Sequence, residues 1–378
     1  MDFVKMRHMM LGPVSTIVLL VFNYFLIDII FNYLNFPLNS NVLISIVLIL
    51  ALLNLVSTLI EFRTSYFITR LMMEISELWK WASLLYLIEI ILIYLVELIM
   101  PMPLYIIYIL FLLIPVFGVI GYYIAHHNFI KKYTLNLENK SKDQEKLVSI
   151  IHVSDLHIGS IRGESLLKNF VNDINKIFIE KQKDGIDVIT IISGDIADGS
   201  CPIKLDTFLT LNNAMMPVIF TPGNHDYYQG IDDLKESLKN ANVIILDNDN
   251  LNLKEYDLNI IGLRYSFGSQ GEDEYKLPIS SDENNVLIYH APDYWKDFVS
   301  CGIDLMLSGH THGGQFIPAN LWVKIVYPYI KGLYNTVVKS DDKLRNGYLS
   351  VTTGIGTMGP PIRLGTRAEI VVLDINRL

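Results

Sequence analysis

The sequence predicts two parts of different class: an all-α membrane domain of four helices, then an α/β domain built on layered sheets. Two observations predict it. Hydrophobic residues make up 51% of the 378 and charged residues only 18%, too apolar for an ordinary soluble chain, and nearly all the long apolar runs lie before residue 126. Beyond that point short apolar runs alternate with amphipathic stretches, the pattern of strands covered by helices.

Crossing a bilayer takes about 20 apolar residues at helical rise. Four stretches reach that length, at Val14–Leu34, Val42–Ile60, Trp81–Met100 and Leu104–Ala125. The first is too long for a signal-peptide core and lacks a small-residue cleavage site after it, so it is expected to be retained. Lys5, Arg7, Arg63, Arg70, Lys80, Lys131 and Lys132 all fall on one side of this arrangement, while Asn35–Asn41 and Pro101–Pro103 carry no charge. The positive-inside rule makes the charged side cytoplasmic, and with it everything after the fourth span. Asp28, Glu89 and Glu97 lie inside the spans. The expectation is that Asp28 and Glu97 sit near the outer interface and that an Asn or Tyr on a neighbouring helix satisfies Glu89, against a lipid- or ion-binding role. Phe67–Trp79 has apolar residues at helical spacing with charges among them. It reads as a surface helix or an extension of the third span.

Residues 131–146 are polar and read as a linker, which starts the second domain at 147 and runs it to 378. Leu147–Val153, Val188–Ser193, Val218–Thr221, Val286–His290 and Leu305–Ser308 read as buried strands, with Leu166–Lys183 and Ile231–Asn240 as helices over them. Polar residues cluster at the ends of these runs: Asp155 and His157, Gly194-Asp195, Gly223-Asn224-His225-Asp226, His290, and Gly309-His310-Thr311-His312. Active sites of open α/β sheets gather at the carboxyl ends of strands, so five segments converge on one edge. Five of the nine histidines lie in these turns. Carboxylates, imidazoles and one amide, with no thiolate, suit Mn²⁺, Fe or Zn²⁺, and Gly194, Gly223 and Gly309 are expected to permit the tight turns. Cys201 and Cys301 have no metal-binding spacing and read as neutral thiols, with a disulfide left open. The net charge of −9 argues against a nucleic-acid polymer as partner.

In order, these motifs resemble the series of the calcineurin-like metallophosphoesterases, over residues 147–378 and none of the membrane part. Gly309–Gln315 and the late Gly354–Arg363, followed by Glu369-Ile370, are most similar to the membrane-associated YkuE/YaeI-type phosphodiesterase branch. The resemblance implies a four-layer αββα sandwich and two divalent metals, Mn²⁺ foremost. It assigns Asp155, His157, Asp195 and His312 to the first metal, and Asp195, Asn224, His290 and His310 to the second. Asp195 bridges, and a hydroxide between the metals attacks phosphorus in line. His225 is implied as the group that binds the phosphoryl oxygen or protonates the leaving oxygen, with Asp226 orienting it.

Other residues carry two readings each. His152 alternates with Asp155 and should face away from the site, into the core. Asp198 either supports the ligands or caps a helix near Pro202. Arg363 binds substrate phosphate or makes a surface salt bridge, with binding preferred. Leu321–Tyr334, rich in aromatics with Lys324 and Lys331, suits a membrane-facing loop next to the active site or a hairpin packed on the domain.

Phosphodiester or pyrophosphate hydrolysis, with a lipid-linked substrate expected from the tether, is the leading function. A protein Ser/Thr phosphatase is disfavoured, because Gly199-Ser200 and Asp226 depart from that pattern. A scaffold is disfavoured because every ligand and His225 are present, and a membrane sensor gating the hydrolase is the third alternative.

Overall fold

The computed structural model describes residues 3–140, 147–228, 230–266, 277–340 and 343–377, with side chains from 16 to 376. The chain divides into two compact units, residues 1–123 with 359–362, and 124–358 with 363–378.

The first unit is helical: α1 (Phe3–Tyr33), α2 (Ser40–Glu61), α3 (Phe67–Glu97) and α4 (Leu104–Ala125). All four are long and apolar enough to cross a membrane. The segment Phe67–Trp79 is the first part of α3, so the reading as an extension of the third span holds. Hydrogen bonds between polar side chains join the helices where apolar surfaces give no direction. Trp79 Nε1 donates to Asn23 Oδ1 (3.0 Å), Ser76 to Asn54 (3.1 Å), and the Tyr86 hydroxyl to the Phe111 carbonyl (3.2 Å). The Tyr33 hydroxyl reaches Glu97 (3.2 Å). Glu89 differs from expectation: its buried Oε2 has no hydrogen-bond partner among the described residues.

The second unit holds two six-stranded sheets. The first has the order β1-β12-β2-β3-β4-β5, from β1 (Asn128–Leu137), β2 (Val148–Val153), β3 (Asp187–Ile192), β4 (Val218–Phe220), β5 (Ile244–Ile245) and β12 (Ala368–Arg377). The second has the order β10-β11-β9-β8-β7-β6, from β6 (Asp249–Leu253), β7 (Leu258–Gly262), β8 (Asn284–Ile288), β9 (Leu305–Ser308), β10 (Gly332–Ser340) and β11 (Lys343–Val351). Strands β2 to β5 run parallel, as do β7, β8, β9 and β11.

Period-two alternation builds the layers. Ile150, Ile189, Ile191 and Ile219 meet Ile260, Ile288, Leu305 and Leu307 between the sheets. Their chain neighbours Ile151, Val188, Ile192 and Phe220 turn the other way and pack with α5 (Glu164–Gln182) and α6 (Ile231–Asn240), through Leu167, Phe170, Leu234 and Leu238. On the outer face of the second sheet, Leu287, Met306 and Leu349 pack with Trp295 and Val299 of α7 (Trp295–Cys301). The result is the four-layer αββα sandwich.

Residues 131–146 are not a linker along their length. Residues 128–137 form β1, paired in parallel with β12 from Asn128↔Ala368 to Leu137↔Arg377, so the second unit begins well before 147. The strand was illegible because it lies at a sheet edge: Lys131, Lys132, Thr134 and Asn136 stay wet while Leu135 and Leu137 are buried. Residues 141–146 lie outside the described residues. The aromatic insert also divides. Its first half is α8 (Ala319–Val326), exposed, whereas Tyr329 and Tyr334 pack against Trp295. Cys201 and Cys301 are both free thiols.

Candidate metal centre

Parallel strands deliver their carboxyl ends to one edge, and the chemistry stands just past them. Asp155 and His157 follow β2, Asp195 follows β3, Asn224 and His225 follow β4, His290 follows β8, and His310 and His312 follow β9. Turning each side chain back onto the edge requires an unusual backbone. Asp155, His157, Asp195, His310 and His312 all have positive φ, between 49° and 68°. For residues other than glycine this conformation costs roughly 1–2 kcal/mol each, and it persists where surrounding contacts over-determine it.

The glycines work in two ways. Gly194 has φ of 93° and makes a tight turn. Gly223 and Gly309 have ordinary φ and serve close approach instead. A methyl on Gly223 would lie 2.3 Å from Asp195 Oδ1, and one on Gly309 2.4 Å from Asp155 Oδ2.

Two subsites emerge. In the first, His312 Nε2 lies 3.1 Å from His157 Nε2 and 3.2 Å from Asp155 Oδ1. The other Asp155 oxygen, Oδ2, accepts from the His310 amide (3.0 Å) and the Ser154 hydroxyl. In the second, His290 Nε2 lies 3.0 Å from Asp195 Oδ2, and its Nδ1 donates to the Ser193 carbonyl (2.7 Å), which fixes the ring. His310 Nδ1 lies 3.0 Å from Asn224 Oδ1. Asp195 Oδ2 joins the subsites, being 3.9 Å from His157 Nε2, while Oδ1 accepts the His225 amide (2.8 Å).

Asp155, His157 and His312 form one group able to hold a metal, and Asp195, His290 and His310 another. The donors fit a cation: Asp155 Oδ1 and His290 Nε2 are buried without a hydrogen-bond partner among the described residues. Charge agrees. Burial pushes Asp155 up, but His312, then His157 and His290, reverse this and hold it well below the usual carboxylate range. Burial likewise raises Asp195, and His290 more than offsets it, so Asp195 also falls. Burial pulls His290 down, yet the Asp195 carboxylate lifts it to about 10. His310 is brought down to about 4 by burial and by the charge of His290.

A family model described as "Calcineurin-like phosphoesterase" matches residues 148–314. The chain carries a calcineurin-like phosphoesterase domain. It is 29% identical over 254 residues to an uncharacterized metallophosphoesterase of Campylobacter jejuni, covering 65% of this chain and 63% of that one. It is 30% identical over 241 residues to one from Helicobacter pylori, covering 61% and 60%. A "Transmembrane protein with metallophosphoesterase domain" of Bos taurus is 26% identical over 249 residues, covering 60% and 52%. The chain thus spans 60–63% of the length of the first two relatives.

Within the phosphoesterase domain two sequence expectations are corrected. Asp226 does not orient His225. Its carboxylate accepts backbone amides of Asp195 (2.8 Å), Gly223 (2.7 Å) and Ala197 (3.0 Å), clamping the two ligand loops together. The His225 ring is held instead by the Asp198 carbonyl, 3.1 Å from Nδ1, and burial lowers its pKa. Arg363 is no substrate ligand and no surface salt bridge. It is wholly buried and donates to the carbonyls of Thr353 (2.7 Å), Gly354 (3.0 Å), Gly356 (2.7 Å) and Arg367 (3.1 Å). Asp198 caps no helix, since none among the described residues lies near Pro202; its carboxylate accepts the Ser200 amide (2.7 Å) within a turn, while its carbonyl meets His225. His152 is buried between the hydroxyls of Ser350 (3.0 Å) and Ser193 (2.9 Å), as expected of a core residue.

Three tyrosines surround the centre: the sequence reading set the insert holding Tyr327 beside the active site without giving that residue a role, and it missed Tyr228 and Tyr265. The Tyr327 hydroxyl lies 2.9 Å from His310 Nε2, the Tyr265 ring packs on His310 and His290, and the Tyr228 ring packs on His225. Tyr228, three residues after His225, is a neighbour on one turn and was legible. Tyr327 and Tyr265 arrive only through the fold.

Proposed function

We propose that this chain is a multi-pass membrane phosphoesterase that hydrolyses phosphodiester or pyrophosphate bonds at a dinuclear centre, with its catalytic unit on the cytoplasmic side. One observation carries the reading: Asp195 Oδ2 lies between His290 Nε2 (3.0 Å) and His157 Nε2 (3.9 Å), where a single oxygen can serve both subsites. Asp155, His157, Asp195 and His312 would hold one divalent cation, and Asp195, His290, His310 and Asn224 the other. Bound there, two cations, Mn²⁺ by donor chemistry, supply Lewis-acid stabilisation of phosphoryl charge and lower the pKa of water. His225, fixed at Nδ1 by the Asp198 carbonyl, keeps Nε2 for the phosphoryl or leaving oxygen. The four apolar helices and the relative named as a transmembrane protein support membrane embedding. The Lys and Arg distribution supports the cytoplasmic side, and the tether favours a lipid-linked substrate.

The test uses the full chain in detergent with added Mn²⁺ and bis(p-nitrophenyl) phosphate, beside Asp195→Asn and His225→Ala. Metal-dependent turnover is expected, with Asp195→Asn losing bound metal and activity, and His225→Ala losing activity while keeping metal. Equal turnover by all three proteins, or none by the folded, metal-loaded parent on any phosphodiester or pyrophosphate, refutes the reading.

A further inference from the structure

Helix α8 places its large apolar side chains outward. Leu321, Trp322, Ile325 and Val326 are each more than half exposed, Trp322 at 71% and Ile325 at 77%, and Ile317 just before the helix adds to them. On a soluble surface a contiguous cluster of this kind marks an interaction site. Nothing in the local sequence forces the exposure, because the same insert buries Ile330 and packs Tyr329 and Tyr334 against Trp295. Lys324, exposed among the apolar residues, and exposed Lys331 bring positive charge to the same insert. An apolar face carrying Trp, with lysines beside it, is the composition of a helix lying in a membrane interface. The chain also carries four helices of membrane-spanning length, so a bilayer is a surface that each copy meets.

We propose that α8 docks into the headgroup layer of a phospholipid bilayer, with Leu321, Trp322, Ile325 and Val326 among the acyl chains and Lys324 against lipid phosphates. The proposal rests on the membrane embedding stated under Proposed function and deepens it. The residue just after α8 is Tyr327, whose hydroxyl meets His310 of the metal centre (2.9 Å). Docking therefore presents a catalytic ligand to the lipid surface through one intervening residue, and the substrate class it serves is a phosphoester in the headgroup layer.

The experiment uses the full chain with Cys201 and Cys301 replaced by serine and one new cysteine carrying a nitrobenzoxadiazole probe. The positions are Trp322→Cys, Val119→Cys on exposed α4 surface, and Lys176→Cys on exposed α5 surface. Each protein is reconstituted in phosphatidylcholine–phosphatidylglycerol vesicles with and without doxyl-labelled lipid. The expected result is blue-shifted emission at 322, quenched severalfold by shallow doxyl lipid, with quenching at 119 and none at 176. Quenching at 119 but water-like emission at 322 overturns the α8 proposal alone. Blue-shifted emission at 322 without doxyl quenching also overturns it, because protein, such as a second copy of the chain, then covers the helix. No quenching at 119 refutes the embedding itself, and the proposal falls with it.

Discussion

Arg363→Met separates two roles for one residue. Four carbonyls converge on the buried guanidinium, but they lose unequally when it goes. Gly354 O keeps the Glu369 amide (3.0 Å) and Arg367 O keeps the Thr353 hydroxyl (2.7 Å). Thr353 O and Gly356 O keep no hydrogen-bond partner among the described residues. An orphaned buried carbonyl costs about 1–3 kcal/mol, so two give about 4 kcal/mol. Removing a desolvated charge offsets part of this, since burial already pulls the guanidinium down to about 9. For a domain of this size a net loss of about 3 kcal/mol lowers the melting midpoint by about 9 °C. The loop also backs the metal centre. The Gly356 amide donates to the Asp155 carbonyl (2.8 Å), and a methyl on Gly354 would lie 2.6 Å from Asp155 Cβ. Thermal unfolding of the metal-loaded protein should show the drop, and calorimetric titration should show weakened metal binding at the first subsite. An unchanged midpoint with a raised KM would refute this reasoning and return Arg363 to the substrate.

Tyr327→Phe removes the hydroxyl beside His310 Nε2 and should weaken metal binding at the second subsite by about 10–100-fold, read by titration calorimetry; unchanged affinity would free Tyr327 of that role. His152 is pushed by burial down to about 3, below its unfolded value of about 6.5. Its neutral form therefore stabilises the fold fully above pH ~6.5, and the contribution fades as pH falls toward about 3. At pH 5 the loss is about 2 kcal/mol, so the melting midpoint of His152→Gln should depend less on pH than the parent's between pH 7 and 5; parallel profiles would contradict this. A fragment begun at residue 147 lacks β1 and bares the edge of β12, and should aggregate where one begun at 124 stays monodisperse by size exclusion.

The sequence by itself determined the four apolar helices, the five buried strands β2, β3, β4, β8 and β9 with the helices α5 and α6 over them, and the candidate donor set. Runs of about 20 apolar residues reach the length a membrane-spanning helix needs, and buried parallel strands announce themselves as short apolar runs. Each candidate ligand sits directly after such a run, so local order singled out Asp155, His157, Asp195, Asn224, His290, His310 and His312. What the tertiary structure decided is who touches whom. Asp155 and His312 are far apart in the chain and 3.2 Å apart in space, and the bridging place of Asp195 Oδ2 exists only once two loops meet. Three groups changed role for the same reason. Asp226 clamps amides from three positions, Arg363 gathers carbonyls from a returning loop, and β1 is a strand because β12 lies beside it. A polar side chain or an edge strand takes its partner from the fold, and the local sequence does not encode that partner; an apolar run carries its burial with it.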